Sequence, residues 1–385
     1  MSGTPGNSRG MHYVPFLDGL RCISILWVIL IHLRFRGDRL YEFVASHGWM
    51  GVDMFFVISG YLITTILLRE YQSRGRISLR NFYVRRILRI WPAYYMTLAI
   101  VAALALAGIG AHPEMVLRTI RWPAMYLTNA YAGFNRTESC ALLVSWSLSL
   151  EEQFYLLWPL LLFFGPKRAL KIAIATIVAV TVWRTWLTFH IAPGMMAMRR
   201  LFYAPDTRID VILYGCVLAF ILLDERRAAS IGRFLKNRAT PFILAIAFLI
   251  GVDINNRWSG HLGNSIGYSV SALLMAVWIA YIATARPKAI LSVLQCRPMV
   301  YIGRISYGIY LLHEFAIEGA RFLFGNPTSI GGKVAFGAFV YGGAILLASV
   351  SYRYFESPFL RLKQRFSARE SSLAFAPEQL AAGSS

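Results

Sequence analysis

The chain has 385 residues, of which 57% are hydrophobic and 15% are charged. A soluble domain averages about 45–50% apolar and 25% charged residues, so this composition excludes an ordinary soluble domain and predicts an all-α polytopic membrane protein. The net charge of +20 does not indicate nucleic-acid binding, because the basic residues lie in short segments between apolar runs. Such a distribution is typical of loops whose lysines and arginines orient membrane helices.

Ten apolar segments along the chain are long enough to cross a bilayer as helices. An even number of spans places both termini on one side of the membrane. The segments on that side carry most of the basic residues, above all "REYQSRGRISLRNFYVRRILRI" with its seven arginines, so both termini are predicted to be cytoplasmic. The ten segments are 17–33, 49–68, 90–110, 148–165, 171–190, 208–223, 239–254, 264–284, 300–323 and 334–352.

The pattern divides the chain into a flexible N-terminal segment, 1–12, a transmembrane domain, 13–360, and a cytoplasmic tail, 361–385. The tail is rich in small and polar residues, which predicts disorder. No small-residue cleavage site follows the first apolar run, so it is interpreted as a retained span. The four cysteines form no Cys-x-x-Cys pair and no Cys/His metal spacing, so neither a disulfide nor a bound metal is predicted.

The first predicted helix carries two ionisable groups in an otherwise apolar stretch, Arg21 and His32. Eleven residues turn a helix through about three full turns plus 20°, so both lie on one face, about 16 Å apart along the axis. Asp18 shares that face. A polar face on a membrane helix must contact protein or water, which points to function. The alternative is an arginine reaching the interface and a histidine bonded to a neighbouring helix.

Further blocks place ionisable groups where lipid would disfavour them. Each has a structural alternative: glutamates at a helix start favour the helix dipole, basic residues at a cytoplasmic end set topology, and a lone histidine is often a packed core residue. The groups are His47 and Asp53 at the outer start of the second helix, Arg85, Arg86 and Arg89 at the inner start of the third, Glu151 and Glu152 at the outer start of the fourth, Arg208 and Asp210 in the sixth, His313 in the ninth and Glu356 after the tenth.

In this order the blocks resemble the membrane acyltransferase type 3 family over residues 13–360. The resemblance implies a ten-helix enzyme that moves an acyl group, usually acetyl from acetyl-CoA, to a sugar hydroxyl in the bacterial inner membrane. Exopolysaccharide, O-antigen, peptidoglycan and nodulation oligosaccharide are typical acceptors, and a smaller branch acylates macrolides. The chain resembles stand-alone members without a fused hydrolase-like domain. The motifs are Arg21-x10-His32, "GVDMFFVISGYLI", "RRILRIWPAYY", "WSLSLEEQFYLLWP", "RISYGIYLLH" and "YFESP".

The resemblance and the chemistry together assign roles to these residues. His32 is predicted to be the general base that takes the proton of the acceptor hydroxyl. Arginines bind phosphates well, so the acetyl-CoA phosphates are expected on Arg85, Arg86 and Arg89, joined by Arg21, which is also expected to act in catalysis. The remaining assignments are Glu151 and Glu152 as catalytic groups that orient His32 or bind sugar hydroxyls, and Asp53, His47, Arg208 and His313 as substrate-binding groups.

Three other interpretations remain at this point. A secondary transporter also has many spans and buried charges, although paired broken helices are missing from the sequence. An enzyme of the same type with a small acceptor such as a macrolide is not excluded by any residue. A scaffold would not explain several polar blocks at membrane depth. The predicted partners are acyl-CoA, a hydroxyl acceptor and the lipid bilayer, with no nucleic acid, and the oligomeric state is left open.

Overall fold

The structure, a computed structural model, describes residues 14–35, 39–110, 112–135, 140–192, 194–257 and 263–366. Within these ranges the chain is almost entirely helical and contains no strand, which confirms the predicted all-α class. Ten long helices coincide with the ten apolar segments. They are α1 Pro15–Leu33, α2 Trp49–Arg74, α3 Leu79–Leu106, α4 Trp146–Phe163, α5 Pro166–His190, α6 Pro205–Leu223, α7 Thr240–Arg257, α8 Tyr268–Ala285, α9 Ser306–Phe324 and α10 Ile330–Val350.

The number of helices that cross the membrane is not settled at ten. Spans that include α1, α2, α3, α5, α8 and α10 are long and apolar enough to cross, which makes six among the described residues. The number rises to seven if the helix Glu225–Leu235 and the beginning of α7, which meet at 86°, form one bent span. The count of ten and the cytoplasmic termini therefore stay predictions, while a multi-pass membrane protein is supported directly.

Short helices connect the long ones. Three of them lie in the described residues between α3 and α4. The short elements are Arg39–Ala45, Pro113–Thr119, Arg121–Ala124, Thr128–Phe134, Met195–Tyr203, Glu225–Leu235, Lys288–Leu294, Arg297–Arg304 and Ser357–Arg365, with a 3₁₀ turn at Leu143–Ser145 and π-helical turns at Gly263–Gly267 and Ser351–Glu356.

The two ends of the chain are only partly covered. The predicted flexible segment 1–12 lies outside the described residues. At the other end, the helix Ser357–Arg365 extends over the first five residues of the predicted tail, 361–365, and the division into segments stays a prediction. Residues 367–385 of the predicted tail lie outside the described residues.

Local sequence explains where the helices of the site begin and end. Pro15 is the first residue of α1, a position where its missing N–H costs nothing. The next residue after the end of α1, Arg34, adopts the left-handed conformation that stops a helix. Gly75 does the same for α2, with φ of +67° and its N–H bonded to the carbonyl of Tyr71.

Glycines let the helices around the site approach closely. A Cβ on Gly60 of α2 would collide with the carbonyl oxygen of Ile212 in α6, and one on Gly215 of α6 would collide with that of Val57. In membranes, small residues at helix contacts allow such backbone approach. The α2–α6 pair is therefore a tight contact that leaves no space for side chains at these two positions.

Helix α1 is held in the same way, and this sets its position beside α9. A Cβ on Gly19 would meet the carbonyl of Leu294, and one on Gly303 would meet that of Asp18. These contacts fix α1 against the two short helices that precede α9. Because α1 and α9 then lie side by side, the polar faces of both helices face each other.

Candidate active site

A cavity of about 210 Å³ lies between α1, α2, α3, α4 and α9. Its wall is mixed. Aliphatic and aromatic side chains of α2 cover one part, while hydroxyl, guanidinium and carboxylate groups cover another. A cavity of this kind, largely apolar with a few convergent polar groups, is typical of a ligand site. We call it the arginine cavity, and its ionisable wall residues are Arg21, Arg86, Arg89, Glu151, Glu152, Tyr155, Tyr307 and Tyr310.

Three of the four arginines predicted to bind phosphate line the arginine cavity. Arg21 forms an ion pair with Asp18 at 3.1 Å. Arg86 packs over the rings of Phe82 and Tyr155, and among the residues that the structure describes neither Arg86 nor Arg89 forms an ion pair. Both guanidinium groups are therefore available to an anion in the cavity.

Arg85 does not line the cavity. Its Nη2 lies 3.8 Å from Oε2 of Glu70, and the other oxygen of that carboxylate accepts a hydrogen bond from the N–H of Ser78 at 2.8 Å. Arg85 therefore belongs to the connection between α2 and α3. Consecutive residues on a helix point about 100° apart, and here Arg86 points to the cavity while Arg85 points to Glu70.

The two glutamates are held by different partners. Oε1 of Glu151 accepts a hydrogen bond from Ser59 Oγ at 2.7 Å, and its Oε2 lies 3.3 Å from the hydroxyl of Tyr155. Oε2 of Glu152 accepts a long hydrogen bond, 3.4 Å, from Nε1 of Trp91. The Oε1 atom of Glu152 is buried and has no hydrogen-bond partner in the described part of the chain. Glu152 thus has an acceptor to offer to a ligand.

The glutamates and the arginines lie closer together than the predicted starts of their helices suggest. The sequence places them at the outer end of α4 and the inner end of α3, yet the structure places both groups on the wall of one cavity. The reason is that both sets of residues lie some distance along their helices and not at the helix starts. Arg86 and Arg89 follow the start of α3 by about 10–15 Å, and the glutamates follow the start of α4 by about 8 Å, so the two sets converge toward the middle of the bundle.

His32 lies outside the arginine cavity and beside His313 of α9. Their ring centroids are 4.9 Å apart at an interplanar angle of 72°. The carboxylate that the structure places next to them is that of Glu314, whose Oε1 is 3.9 Å from Nε2 of His32 and 3.8 Å from Nε2 of His313. Glu314, and neither Glu151 nor Glu152, therefore occupies the position predicted for the group that orients His32.

The composition of this group raises the question of a metal. The ligand atoms of His32, His313 and Glu314 all lie within 4.8 Å of one another, and they form a set of two histidines and a carboxylate. Two ligands of one tetrahedral zinc ion lie about 3.3 Å apart, given zinc–ligand distances of about 2.0–2.1 Å. The histidine-to-glutamate distances of 3.8 and 3.9 Å are larger, so the group as it stands is too open for zinc.

Tyr310 connects the arginine cavity with the histidines. Its hydroxyl reaches the carbonyl of Val144 and Ser147 Oγ, both at 2.6 Å. A carbonyl only accepts, so Tyr310 donates to Val144 and Ser147 donates to Tyr310. The carbonyl of Tyr310 in turn accepts from Nδ1 of His313 at 2.7 Å. Since Tyr310 also lines the cavity, one residue links its wall to the histidine pair.

Asp53 and Arg208, predicted to bind substrate, are paired with each other and fully buried. The guanidinium of Arg208 lies 3.8 Å from the ring centroid of Tyr268, and neither side chain lines the arginine cavity. A fully buried ion pair cannot contact a substrate in this conformation. The pair lies at the α2–α6 contact, and this position gives the predicted substrate-binding role no support.

A second buried pair, which sequence reasoning missed, lies beside the first. Arg184 of α5 donates to both oxygens of Asp210 at 2.9 and 3.0 Å, to Oγ of Ser269 and to the carbonyls of Thr207 and Ser265. The sequence singles out Asp210, but no motif identifies Arg184 as its partner. Together, Asp53, Arg208, Arg184 and Asp210 are called the buried charge network below.

His47 and Glu356 serve local structure. Nδ1 of His47 bonds to the carbonyl of Phe43 at 2.7 Å, and the side chain is buried in the turn before α2. Glu356 accepts a hydrogen bond from Ser351 Oγ at 3.0 Å at the end of the π-helical turn after α10. Neither lines the arginine cavity, so the substrate-binding role expected for His47 has no support from its position.

Sequence comparisons match the part of the chain that contains these residues. A family model described as acyltransferase domain matches residues 14–353. The peptidoglycan O-acetyltransferase OatA of Listeria monocytogenes is 34% identical over 78% of this chain and 49% of its own. The putative peptidoglycan O-acetyltransferase YrhL of Bacillus subtilis is 31% identical over 90% and 55%, and the O-acetyltransferase OatA of Staphylococcus aureus 29% over 90% and 57%. The chain spans about half the length of these relatives, and no solved structure matches it significantly.

Proposed function

The chain belongs to the acyltransferase domain family, and on this premise we propose that it is a bacterial membrane O-acetyltransferase. It moves an acetyl group from acetyl-CoA to a hydroxyl of peptidoglycan or of another surface glycan. The names of the three relatives support the acetyl group, and two of them name peptidoglycan. These names favour a glycan acceptor over a small molecule such as a macrolide. The bacterial plasma membrane is proposed as the location, since the chain has several apolar helices long enough to cross a bilayer.

The observation that carries the proposal is the pair of cations on the wall of the arginine cavity. A charge at membrane depth is costly unless it is paired, and Arg86 and Arg89 form no ion pair among the described residues. An anionic ligand would supply the missing charge. Acetyl-CoA carries phosphates, which guanidinium groups bind with two parallel hydrogen bonds. Arg21 adds a third cation to the same wall.

The position of His32 fits the role of general base. Its Nδ1 bonds to the carbonyl of Val28 at 2.7 Å and must carry the hydrogen, because a carbonyl only accepts. The lone pair is then on Nε2. In the proposed reaction the hydroxyl oxygen attacks the thioester carbonyl, the new C–O bond forms, the C–S bond breaks, and the proton passes to Nε2 of His32 while the thiolate of CoA leaves.

The donor and the base lie at two ends of one track. Arg21 and His32 are about 16 Å apart along α1, and on α9 Tyr307 and His313 follow in the same direction. We propose that the phosphates remain at the arginine end while the acetyl group reaches past Tyr310 to His32. In this arrangement Glu151 and Glu152 position the donor, since Glu152 has an unpartnered acceptor oxygen in the described structure.

The proposal is tested with purified protein in nanodiscs, labelled acetyl-CoA and soluble peptidoglycan fragments. Wild type should acetylate the glycan, and His32→Ala should lower kcat by about 10²–10⁴-fold. His190→Ala is the matched control, because Nδ1 of His190 makes the same bond to a carbonyl four residues back, at 2.8 Å, on the exposed end of α5.

Two results would contradict the proposal. Near-normal turnover by folded His32→Ala would remove His32 as the base. Acetylation of a macrolide but of no glycan by wild type would leave the reaction type standing and overturn the acceptor.

A further inference from the structure

We propose that Glu314 is a positioning residue that holds the proton which His32 removes from the acceptor hydroxyl, with His313 as the inner wall of the proton site. The geometry that points to this is the convergence of three acceptor atoms, one from each of these side chains, within 4.8 Å of one another. The inference rests on the proposed transferase function and names the residue that completes its base.

The protonation of both histidines follows from their hydrogen bonds. Nδ1 of His32 bonds to the carbonyl of Val28, and Nδ1 of His313 bonds to the carbonyl of Tyr310, each at 2.7 Å. Since a carbonyl oxygen has no hydrogen to give, each Nδ1 carries one. In the neutral rings, both Nε2 atoms are therefore lone-pair acceptors.

Those two lone pairs face a third acceptor. Oε1 of Glu314 lies 3.9 Å from Nε2 of His32 and 3.8 Å from Nε2 of His313. Nε2 of His313 is fully buried and has no hydrogen-bond partner in the described part of the chain. Three acceptors that face one another leave an unmet need for a hydrogen, and an unsatisfied buried polar atom is costly. One proton among them satisfies that need.

The exposed fraction of each side chain decides which of the three groups exchanges a proton with the acceptor or with water. The side chains of His32 and Glu314 are 24% and 34% exposed, whereas that of His313 is 0% exposed. A hydroxyl acceptor can therefore reach His32, and the carboxylate of Glu314 can return a proton to water. His313 cannot do either and serves as the acceptor that closes the inner side of the site.

The proton moves in three steps, from the acceptor hydroxyl to His32, from His32 to Glu314 and from Glu314 to solvent. The O–H bond of the acceptor breaks as its oxygen bonds to the acetyl carbon, the C–S bond of the thioester breaks as the thiolate of CoA leaves, and the N–H bond forms at Nε2 of His32. The resulting imidazolium donates to Oε1 of Glu314, which turns a weak contact between acceptors into a charge-assisted hydrogen bond. After the product leaves, the proton passes through Glu314 to solvent and the cluster returns to its resting state.

The test variant removes the negative charge of Glu314 and keeps the shape of its side chain. Glu314→Gln should lower kcat by about 10- to 100-fold, the kinetic equivalent of one hydrogen bond to a charged group. The KM for acetyl-CoA should not change, because the arginine cavity is untouched. Glu314→Asp keeps the carboxylate and should recover part of kcat, which a purely structural role would not predict.

Glu318→Gln is the matched control. Glu318 lies one turn further along α9, its side chain is 65% exposed, and it pairs with Arg321 at 2.6 Å. Its replacement should leave kcat and KM unchanged. If Glu314→Gln does not fold, Glu314→Asp decides, since a kcat below that of wild type at unchanged KM supports the proposal and a raised KM alone overturns it.

Failure of the inference and failure of the function give different results. No transfer by wild type would remove the proposed function and this inference with it. Transfer by wild type, loss in His32→Ala and full kcat in Glu314→Gln would overturn the inference alone. Stoichiometric zinc in purified wild type that is lost in Glu314→Gln would also overturn it, because the carboxylate would then be a metal ligand.

Discussion

Two groups of arginines and carboxylates lie deep in the bundle, and they differ in how their charges are paired. In the buried charge network, Arg184 bonds to Asp210 and Arg208 to Asp53, so each cation has an anion. On the wall of the arginine cavity, Arg86 and Arg89 form no ion pair in the described ranges. A charged residue at membrane depth is therefore not by itself a functional residue. Its pairing and its access to a cavity distinguish the two cases.

The largest expected effect comes from breaking the buried charge network. Arg184→Met leaves the buried carboxylate of Asp210 without its cation, which typically costs about 3–5 kcal/mol of the free energy of unfolding. Arg86→Met, in contrast, leaves no ion-pair partner behind and should change stability little. Denaturant unfolding of both variants in detergent measures the difference. Equal stability of the two variants would show that pairing does not separate these regions.

The next largest effect is expected on the binding of acetyl-CoA in the arginine cavity. Arg86→Lys and Arg89→Lys keep the charge and lose the bidentate geometry, so the KM for acetyl-CoA should rise about 10-fold or more while the fold is kept. Arg85→Lys is the matched control, because Arg85 lies against Glu70 and away from the cavity. Steady-state kinetics against acetyl-CoA decides. A rise in KM for Arg85→Lys as large as for Arg86→Lys would refute the assignment.

The elements of this fold were predictable because they depend on local sequence. Runs of about twenty apolar residues predict membrane helices, and each of the ten runs coincides with one long helix. The shared face of Arg21 and His32 followed from helical periodicity alone. The topology of the termini depends on the bilayer rather than on the helices, and it stays a prediction.

The pairing of side chains was not predictable, because it depends on contacts between distant segments. Asp53 and Arg208 are 155 residues apart, and only the glycine-mediated approach of α2 and α6 brings them together. Glu314 follows His313 directly, and neighbouring residues on a helix normally point about 100° apart. Both nevertheless lie near His32, since the ring centroids of His32 and His313 are 4.9 Å apart and Oε1 of Glu314 is 3.9 Å from Nε2 of His32.

The smallest expected effect concerns the hydrogen bonds that hold Glu151 in the arginine cavity. Ser59 Oγ lies 2.7 Å from Glu151 Oε1 and 2.8 Å from the hydroxyl of Tyr155, so Ser59→Ala removes a donor from the carboxylate and a contact from the phenol. One such bond contributes about 0.5–1.5 kcal/mol, which corresponds to a loss of about 2- to 10-fold in kcat/KM. Ser73→Ala, at the exposed end of the same helix, is the control, because its hydroxyl bonds only to the carbonyl of Glu70 among the described residues. If both variants retain wild-type kcat/KM in the acetyl-transfer assay, the carboxylate of Glu151 does not depend on Ser59 for its position, and Glu152 becomes the glutamate that the cavity uses.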